Sequence, residues 1–117
     1  VEGMYELVEE LKDMGYGIYL LSNASFRQHD YWPRVPASKF FDGTLISADV
    51  KLVKPQPEIY RLLCDKFSLL PEECVFIDDS TSNAEGAYFC GINALVFHGD
   101  AHEMRLKLNE LGVKVKC

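Results

Sequence analysis

Three kinds of polar side chain with complementary chemistry stand close to apolar runs of the sequence. They are a hydroxyl with a neighbouring amide, a lysine, and a pair of carboxylates: Ser22, Asn23, Lys54, Asp78 and Asp79. If the apolar runs are parallel strands, these residues lie where open parallel sheets bind ligands, outside the carboxyl ends of the strands. A hydrogen-bond donor, a point cation and acidic metal ligands together predict a clamp that positions a transferring phosphoryl group and stabilises its charge.

The adjacent carboxylates Asp78 and Asp79 are the most informative of these five residues. Two like charges at the mouth of a buried strand repel each other and are costly to desolvate without a cation. Hard oxygen ligands that leave room for waters and a substrate phosphate suit Mg²⁺. The alternative is that the two carboxylates only cap the N-terminus of the following helix, where negative charge is stabilising. The presence of Ser22 and Lys54 at the same rim favours the metal.

Ser22, Asn23 and Lys54 carry less information singly than in combination. A Ser-Asn pair after a strand is often a turn or a helix cap, and a lysine at the end of a loop usually lies in solvent. Pro55 disfavours helical dihedral angles at Lys54 and so predicts an extended residue just ahead of a helix. The Ser-Asn pair, the lysine and the carboxylate pair indicate the clamp through their order along the chain, more than any one of these groups does alone.

Helix and strand patterns alternate along the chain. Apolar spacing and caps predict helices at about 4–14, 57–67, 82–90 and 101–111. Short apolar runs predict strands at about 18–21, 44–46, 74–77 and 92–97. Ser82 with Glu85 predicts a capping box, and Asp100 predicts the cap of the last helix. The alternation predicts one α/β domain, residues 1–117, with a parallel sheet flanked by helices.

Composition and charge exclude several classes of protein. The 117 residues are 48% hydrophobic, too apolar for a disordered chain, and their net charge of −6 argues against nucleic-acid or anionic-membrane partners. No apolar stretch approaches the length of a membrane span, and no basic segment precedes one, so neither an anchor nor a signal peptide is expected. The four cysteines are irregularly spaced without a Cys-x-x-Cys pair, which predicts reduced, mostly buried thiols in a cytoplasmic protein.

Three segments resemble motifs II, III and IV of the haloacid dehalogenase-like (HAD) hydrolase superfamily. They are Gly17–Asn23, Lys54–Tyr60, and Val75–Ser80 with Asn83 and Gly86-Ala87, in the family's order and across nearly the whole chain. The Lys-Pro-x-Pro-x-Ile-Tyr and Asp-Asp-x-x-x-Asn patterns are the specific ones. The resemblance is strongest to phosphatases of sugar phosphates. It implies a Rossmann-like core, a Mg²⁺ cofactor and a small phosphorylated metabolite as substrate.

The resemblance also implies a role for each matched residue. The phosphate-binding residues would be Ser22, Asn23 and Lys54. Ser22 would hydrogen-bond the phosphoryl oxygens, and Lys54 would neutralise the charges of nucleophile and phosphate. Asp79 would ligate Mg²⁺ directly and Asp78 through a bound water, while Asn83 would support that loop. The dehalogenase branch of the family has neutral residues in place of the acidic pair and needs no metal, so the pair favours a phosphatase.

The family's chemistry begins at an Asp-x-Asp-Gly motif that this sequence lacks. The first Asp of that motif attacks phosphorus and the second is the general acid/base, both on the central first strand. The nearest candidate is Asp42, but Phe40 stands in the nucleophile's place and the segment follows motif II instead of preceding it. The family's strand order of 5-4-1-2-3 implies that the strands ending at Leu21 and Ile77 lose their shared neighbour.

The chain is therefore expected to be the C-terminal part of a HAD core, without the central first strand and the cap. Its start at Val1, without an initiator Met, agrees with this expectation. Alone, it should be inactive, and poorly stable as a monomer unless the missing part or self-association covers the strand edges.

Two other interpretations are open, the first within the same fold class and the second a different functional class. A receiver-type phosphoacceptor domain also uses an acidic pair, a hydroxyl and a lysine, but its acidic pair comes first along the chain and its lysine last. A non-catalytic HAD-like binding or assembly module is the stronger alternative. The reading frame upstream of Val1 distinguishes this module from an enzyme, because a hydrophobic strand ending in Asp-x-Asp-Gly would indicate an enzyme.

Overall fold

A computed structural model describes residues 3–23, 32–113 and 115, and within them strands and helices alternate. The strands are β1 (Tyr19–Ser22), β2 (Gly43–Ile46), β3 (Val75–Asp78) and β4 (Asn93–Val96). The helices are α1 (Met4–Asp13), α2 (Ser47–Val50), α3 (Pro57–Phe67), α4 (Thr81–Phe89) and α5 (Ala101–Glu110). Short 3₁₀ helices cover Trp32–Arg34, Pro36–Phe40 and Pro71–Glu73. None of the helices in these ranges is long and apolar enough to cross a membrane.

The strands form two parallel ladders. β1 pairs with β2, with Leu21 opposite Leu45, and β3 pairs with β4, with Ile77 opposite Leu95. Among the described residues no ladder joins β1 to β3. The parallel α/β fold is as predicted, and the break falls between the two strands that the resemblance expects to share a missing neighbour.

Backbone direction identifies the open edges of the two ladders. The N–H of Asp42, just before β2, donates to the carbonyl of Ile18, just before β1. The N–H of Phe97, just after β4, donates to the carbonyl of Asp78 at the end of β3. Successive residues of a strand direct their N–H and C=O groups to opposite sides. Leu21 in β1 and Ile77 in β3 therefore direct these groups away from their ladder partners.

Helix α3 packs against both ladders and so holds them in one core. Its buried residues form a cluster with residues of the first ladder, of α4 and of the segment before β4: Leu21, Leu45, Ile59, Tyr60, Cys64, Ala87 and Ile92. Phe76 and Ala94 of the second ladder pack against this cluster. Helices α1 and α5 pack on the other face of β3 and β4, where Leu7, Met104 and Leu108 are buried against Val75 and Ile77. An ion pair from Arg105 to Glu10, 2.6 Å long, links these two helices. Strands β3 and β4 therefore lie between two helical layers.

Three helix starts are as predicted, among them that of α1 at Met4, and one is not. Helix α3 begins at Pro57, and Asp100 caps α5 by accepting from the N–H groups of the first turn. The capping box at Ser82 is wrong, because α4 begins at Thr81 and its cap is Ser80, whose hydroxyl accepts from the N–H of Asn83. The early start brings α4 directly after the carboxylates of β3.

Candidate active site

Lys54 links the carboxyl ends of β1 and β3. Its Nζ lies 2.7 Å from Oδ2 of Asp78, the last residue of β3, and the two side chains are only 11% and 9% exposed. The backbone N–H of Lys54 donates to Oδ1 of Asn23 at 2.8 Å, and its carbonyl accepts from Nδ2 of Asn23 at 3.2 Å. Ser22, the neighbour of Asn23, ends β1. The fold thus brings Lys54 together with Asp78 and with the residue that follows Ser22.

Asp78 is held by donors from three directions. Besides Lys54, the N–H of Ser80 donates to Oδ1 at 2.9 Å, and Nδ2 of Asn83 lies 3.4 Å from Oδ2. Burial alone would raise the pKa of Asp78, but the hydrogen bonds from Lys54 and Ser80 outweigh it and hold the pKa below its usual range. Asp78 is therefore an anion at neutral pH with its two oxygens in fixed positions.

Asp79 is exposed and directly follows Asp78 in the chain. Two neighbouring carboxylates repel each other, and a bound cation relieves that repulsion. Mg²⁺ commonly takes one or two carboxylates and completes its shell with waters and substrate phosphate. The described part of the chain has no group of three or more His, Cys, Asp or Glu side chains that could hold an ion. The pair of adjacent carboxylates, one of them exposed, fits a Mg²⁺ ion that keeps several waters.

The turn that carries Lys54 is fixed by its neighbours in sequence and by α4. Gln56 closes the turn, since its Oε1 accepts from the N–H of Val53 and its own N–H donates to the carbonyl of Val53, both at 2.8 Å. The Lys54–Pro55 peptide bond is cis. Helix α4 approaches so closely that a Cβ on Gly86 would lie 2.8 Å from Cβ of Pro55. Glycine is thus required where α4 packs against the lysine turn.

Tyr60 connects α3 to the first turn of α4. Its hydroxyl donates to the carbonyl of Asn83 at 2.7 Å, and its ring packs edge-on against Phe76 with the centroids 5.5 Å apart. Burial, with a smaller contribution from the charge of Asp78, raises the pKa of Tyr60 to about 12. Tyr60 therefore remains a neutral donor and positions Asn83 beside Asp78.

Several of these contacts were not predicted from the sequence. Asn23 was expected beside the phosphate, whereas its amide is engaged with the backbone of Lys54. The role of Tyr60 was missed because its hydroxyl donates to a backbone carbonyl distant in the sequence. That of Ser80 was missed because Ser82 with Glu85 also fits a cap pattern. Gly86 did carry a signal, since a glycine inside a helix often marks a close packing contact.

Asp42 lies at the opposite end of the strands from the clamp. Its carboxylate pairs with Lys12 and accepts from the N–H of Ile18 at 2.7 Å, ahead of β1 and β2. The hydrogen bond from Lys12, reinforced by that of Ile18, lowers the pKa of Asp42. These contacts give Asp42 a structural role in joining α1 to the two strands.

Comparison with known proteins identifies the family of the chain. The family model for haloacid dehalogenase-like hydrolases matches residues 1–91. A phosphorylated carbohydrates phosphatase of Thermotoga maritima is 30% identical over 87% of this chain and 47% of its own length. The (S)-2-haloacid dehalogenase 4A of Burkholderia cepacia is 32% identical over 77% of this chain and 39% of its own.

A solved structure agrees as well. A HAD family enzyme of Bacteroides thetaiotaomicron, in complex with magnesium and inorganic phosphate, superposes with a TM-score of 0.76 at 28% identity. The match covers 87% of this chain and 56% of that one. The chain spans less than half the length of the two curated relatives above. The sequence match and the fold agree, and the chain belongs to the haloacid dehalogenase-like hydrolase family.

Proposed function

We propose that this chain carries the phosphate and Mg²⁺ clamp of a phosphate monoester hydrolase that acts on a sugar phosphate or a similar small metabolite. The observation that supports it most is the buried ion pair between Lys54 and Asp78 at the ligand-binding end of the strands. A buried cation beside an exposed carboxylate suits a site that receives a doubly charged phosphate together with a metal ion. The phosphatase named above, which shares most of this chain's length, supports the substrate class.

Within this proposal the residues divide the work of binding. Ser22 donates a hydrogen bond to a phosphoryl oxygen, and Lys54 neutralises negative charge on the phosphate. Asn23 lies beside them and holds the backbone of Lys54 in place. Such a site acts mainly by fixing positions and stabilising charge that develops during transfer.

Asp78 and Asp79 are the proposed Mg²⁺ residues, Asp79 as a direct ligand and Asp78 through a water. Bound Mg²⁺ would neutralise charge on the phosphate oxygens. Lys54, Ser80 and Asn83 already hold Asp78, so its oxygens have little freedom to form a full metal bond. Asp79 is exposed and can turn its carboxylate toward an ion.

The nucleophile is proposed to lie outside these 117 residues. No Asp-x-Asp occurs in the sequence, and Asp42 lies at the wrong end of the strands. The break between the ladders and the greater length of the relatives support a further strand, carrying the catalytic aspartates, between β1 and β3. Either that strand or a second copy of the chain would cover the edges that Leu21 and Ile77 expose.

Hydrogen exchange tests whether these two edges are open. In the dilute isolated chain we expect the amides of Leu21 and Ile77 to exchange at least about tenfold faster than those of Leu20 and Phe76, which face their ladder partners. NMR-detected exchange measures all four in one sample. Equal protection at the two kinds of position in a monomer would contradict the open edges.

The free thiols support a cytoplasmic location for the proposed enzyme. Cys64, Cys74 and Cys90 are all unbridged. Structural disulfides are rare in the reducing cytosol and common in secreted domains of this size.

A non-catalytic binding or assembly module is the second candidate, because this sequence has no Asp-x-Asp motif. The coding sequence upstream distinguishes the two. A hydrophobic strand that ends in Asp-x-Asp-Gly supports the hydrolase, and a reading frame without one supports the module.

The purified 117-residue chain should not hydrolyse an aryl phosphate in the presence of Mg²⁺. The clamp binds and orients phosphate, but no described carboxylate at the rim is free of Lys54 or of the proposed metal to attack phosphorus. Release of the phenol, followed by absorbance, is the measurement. Mg²⁺-dependent turnover that is lost in the D79N variant would show that the chain carries its own nucleophile, which contradicts the proposal.

A further inference from the structure

Phe76 lies on the same strand and the same face as the buried carboxylate of the clamp. It precedes Asp78 by two residues in β3, and side chains two residues apart on a strand point to one face of the sheet. Its ring is half-buried and packs against the core cluster around α3. Phe76 is therefore placed on the side of β3 from which the site is built.

The face of the Phe76 ring contacts the ammonium group of Lys54, with Nζ 5.6 Å from the ring centroid. A cation over the face of an aromatic ring at this distance is attracted by the negative charge of that face, and the attraction is stronger where both groups are withdrawn from water. The Lys54 side chain is only 11% exposed. The other described lysines that lie over rings, Lys39 and Lys66, are exposed. Among the described residues, the contact of Lys54 with Phe76 should thus be the strongest of its kind.

Tyr60 fixes the orientation of the Phe76 ring. The two rings meet edge to face, with an angle of 83° between their planes. Tyr60 is itself fully buried, and its hydroxyl is held by the carbonyl of Asn83 at 2.7 Å. The Phe76 ring therefore presents a fixed face to Lys54.

We propose that Phe76 is a positioning residue of the clamp, whose ring face holds the Lys54 ammonium where it meets a phosphate oxygen. An ammonium group has three N–H donors, and the hydrogen bond to Asp78 fixes only one direction. The ring supplies a second fixed point, and a phosphate oxygen accepts from a further N–H. The inference rests on the proposed function for the phosphate alone, because the contact between ring and ammonium can be measured without a ligand.

Fluorinated phenylalanines at position 76 test the ring face without removing the ring. Fluorine withdraws electrons from the face, so mono- and trifluorinated rings attract a cation progressively less at nearly constant shape. We expect the dissociation constant of inorganic phosphate, followed with Mg²⁺ present by the NMR shift of the Ser22 amide, to rise with fluorine number by about 3- to 10-fold in total. Phe97 packs on the face of the sheet that α1 and α5 cover, and the same replacements there should change the constant by less than about twofold.

A double-mutant cycle with Lys54 measures the contact in the absence of phosphate. Trifluorination at Phe76 should raise the unfolding equilibrium constant about 3- to 10-fold more in the parent chain than in K54M, which has no cation over the ring. Effects of fluorine on the Tyr60 contact are common to both chains and cancel. A second readout needs no unfolding: the ring face should shift the ε-methylene proton signal of Lys54 upfield of that of the exposed Lys51, and F76L should abolish this shift.

The outcomes separate this inference from the proposed function. A phosphate dissociation constant that is independent of fluorine number but raised in F76L would show that Phe76 only fills the core, which overturns the proposal. A Lys54 signal that matches that of Lys51, or an equal effect of fluorine in the parent chain and K54M, would overturn the contact itself. If the parent chain binds no phosphate, the proposed function fails and with it the clamp role of Phe76, while a fluorine effect that depends on Lys54 would still show that the ring holds the ammonium.

Discussion

Replacing Lys54 by methionine (K54M) should lower the free energy of unfolding by about 3 kcal/mol, because it leaves the Asp78 carboxylate buried without its cation. Ser80 and Asn83 still donate to Asp78, which keeps the loss at the lower end of the range for broken buried pairs. Urea denaturation followed by circular dichroism, at a concentration where the parent chain is folded, measures the change.

An exposed ion pair elsewhere in the chain provides the control. Lys12 and Asp42 also pair, but their side chains are 38% and 32% exposed, so K12M should cost less than about 1 kcal/mol. The double variant K54M/D78N removes both buried charges and should recover part of the loss. A K54M cost as small as that of K12M would mean that the Lys54 pair is not a buried element of the site.

Replacing Gly86 by alanine (G86A) should destabilise the chain by about 1–3 kcal/mol, the usual cost of forcing extra atoms into a packed interior. The new Cβ would lie 2.8 Å from Cβ of Pro55, 3.0 Å from its carbonyl oxygen and 3.0 Å from the Tyr60 hydroxyl. Backbone atoms cannot rotate away, so α4 or the lysine turn has to shift. Alanine is better than glycine inside a helix by about 1 kcal/mol, which offsets part of the cost.

The neighbouring E85A variant is the matched control for G86A. Glu85 is exposed on the same helix, so alanine there tests the helix without the contact. We expect E85A to change stability by less than about 0.5 kcal/mol. A G86A chain more stable than the parent would show that α4 does not press against the Lys54 turn.

Helices with strong local signals were predictable from the sequence. The first turn of α3 has Pro57, and the apolar spacing of Ile59, Tyr60 and Cys64 marks its buried face. The cap at Asp100 was equally plain, because its side chain satisfies N–H groups only two and three residues away. Structure that depends on contacts between residues a few positions apart can therefore be predicted from a single sequence.

The start of α4 could not be predicted in the same way, because two serines compete to cap it. Ser82 with Glu85 fits the capping pattern, yet Ser80 is the cap. Asp78 accepts from the N–H of Ser80 and so fixes the backbone directly after β3, which leaves Thr81 to begin the helix. The deciding contact is a tertiary feature of the site.

The candidate site was predictable in its residue types but not in its contacts. That Ser22, Lys54 and the carboxylates share one end of the sheet follows from their positions after the strands. The contact of Asn23 with the Lys54 backbone spans 31 residues and uses main-chain atoms that every residue has. The break between the ladders was expected from the family resemblance alone, since periodicity shows which segments are strands but not which of them pair.

Binding of Mg²⁺ and phosphate at the clamp is tested most directly by NMR titration of the isotope-labelled chain. We expect millimolar Mg²⁺ to shift the amides of Asp79 and Ser80, and inorganic phosphate added afterwards to shift those of Ser22 and Lys54. D79N should abolish the response to Mg²⁺, and S22A should weaken only the response to phosphate. Absence of these shifts, or Mg²⁺ shifts that D79N leaves unchanged, would contradict the assignment of these residues as a phosphate and metal clamp.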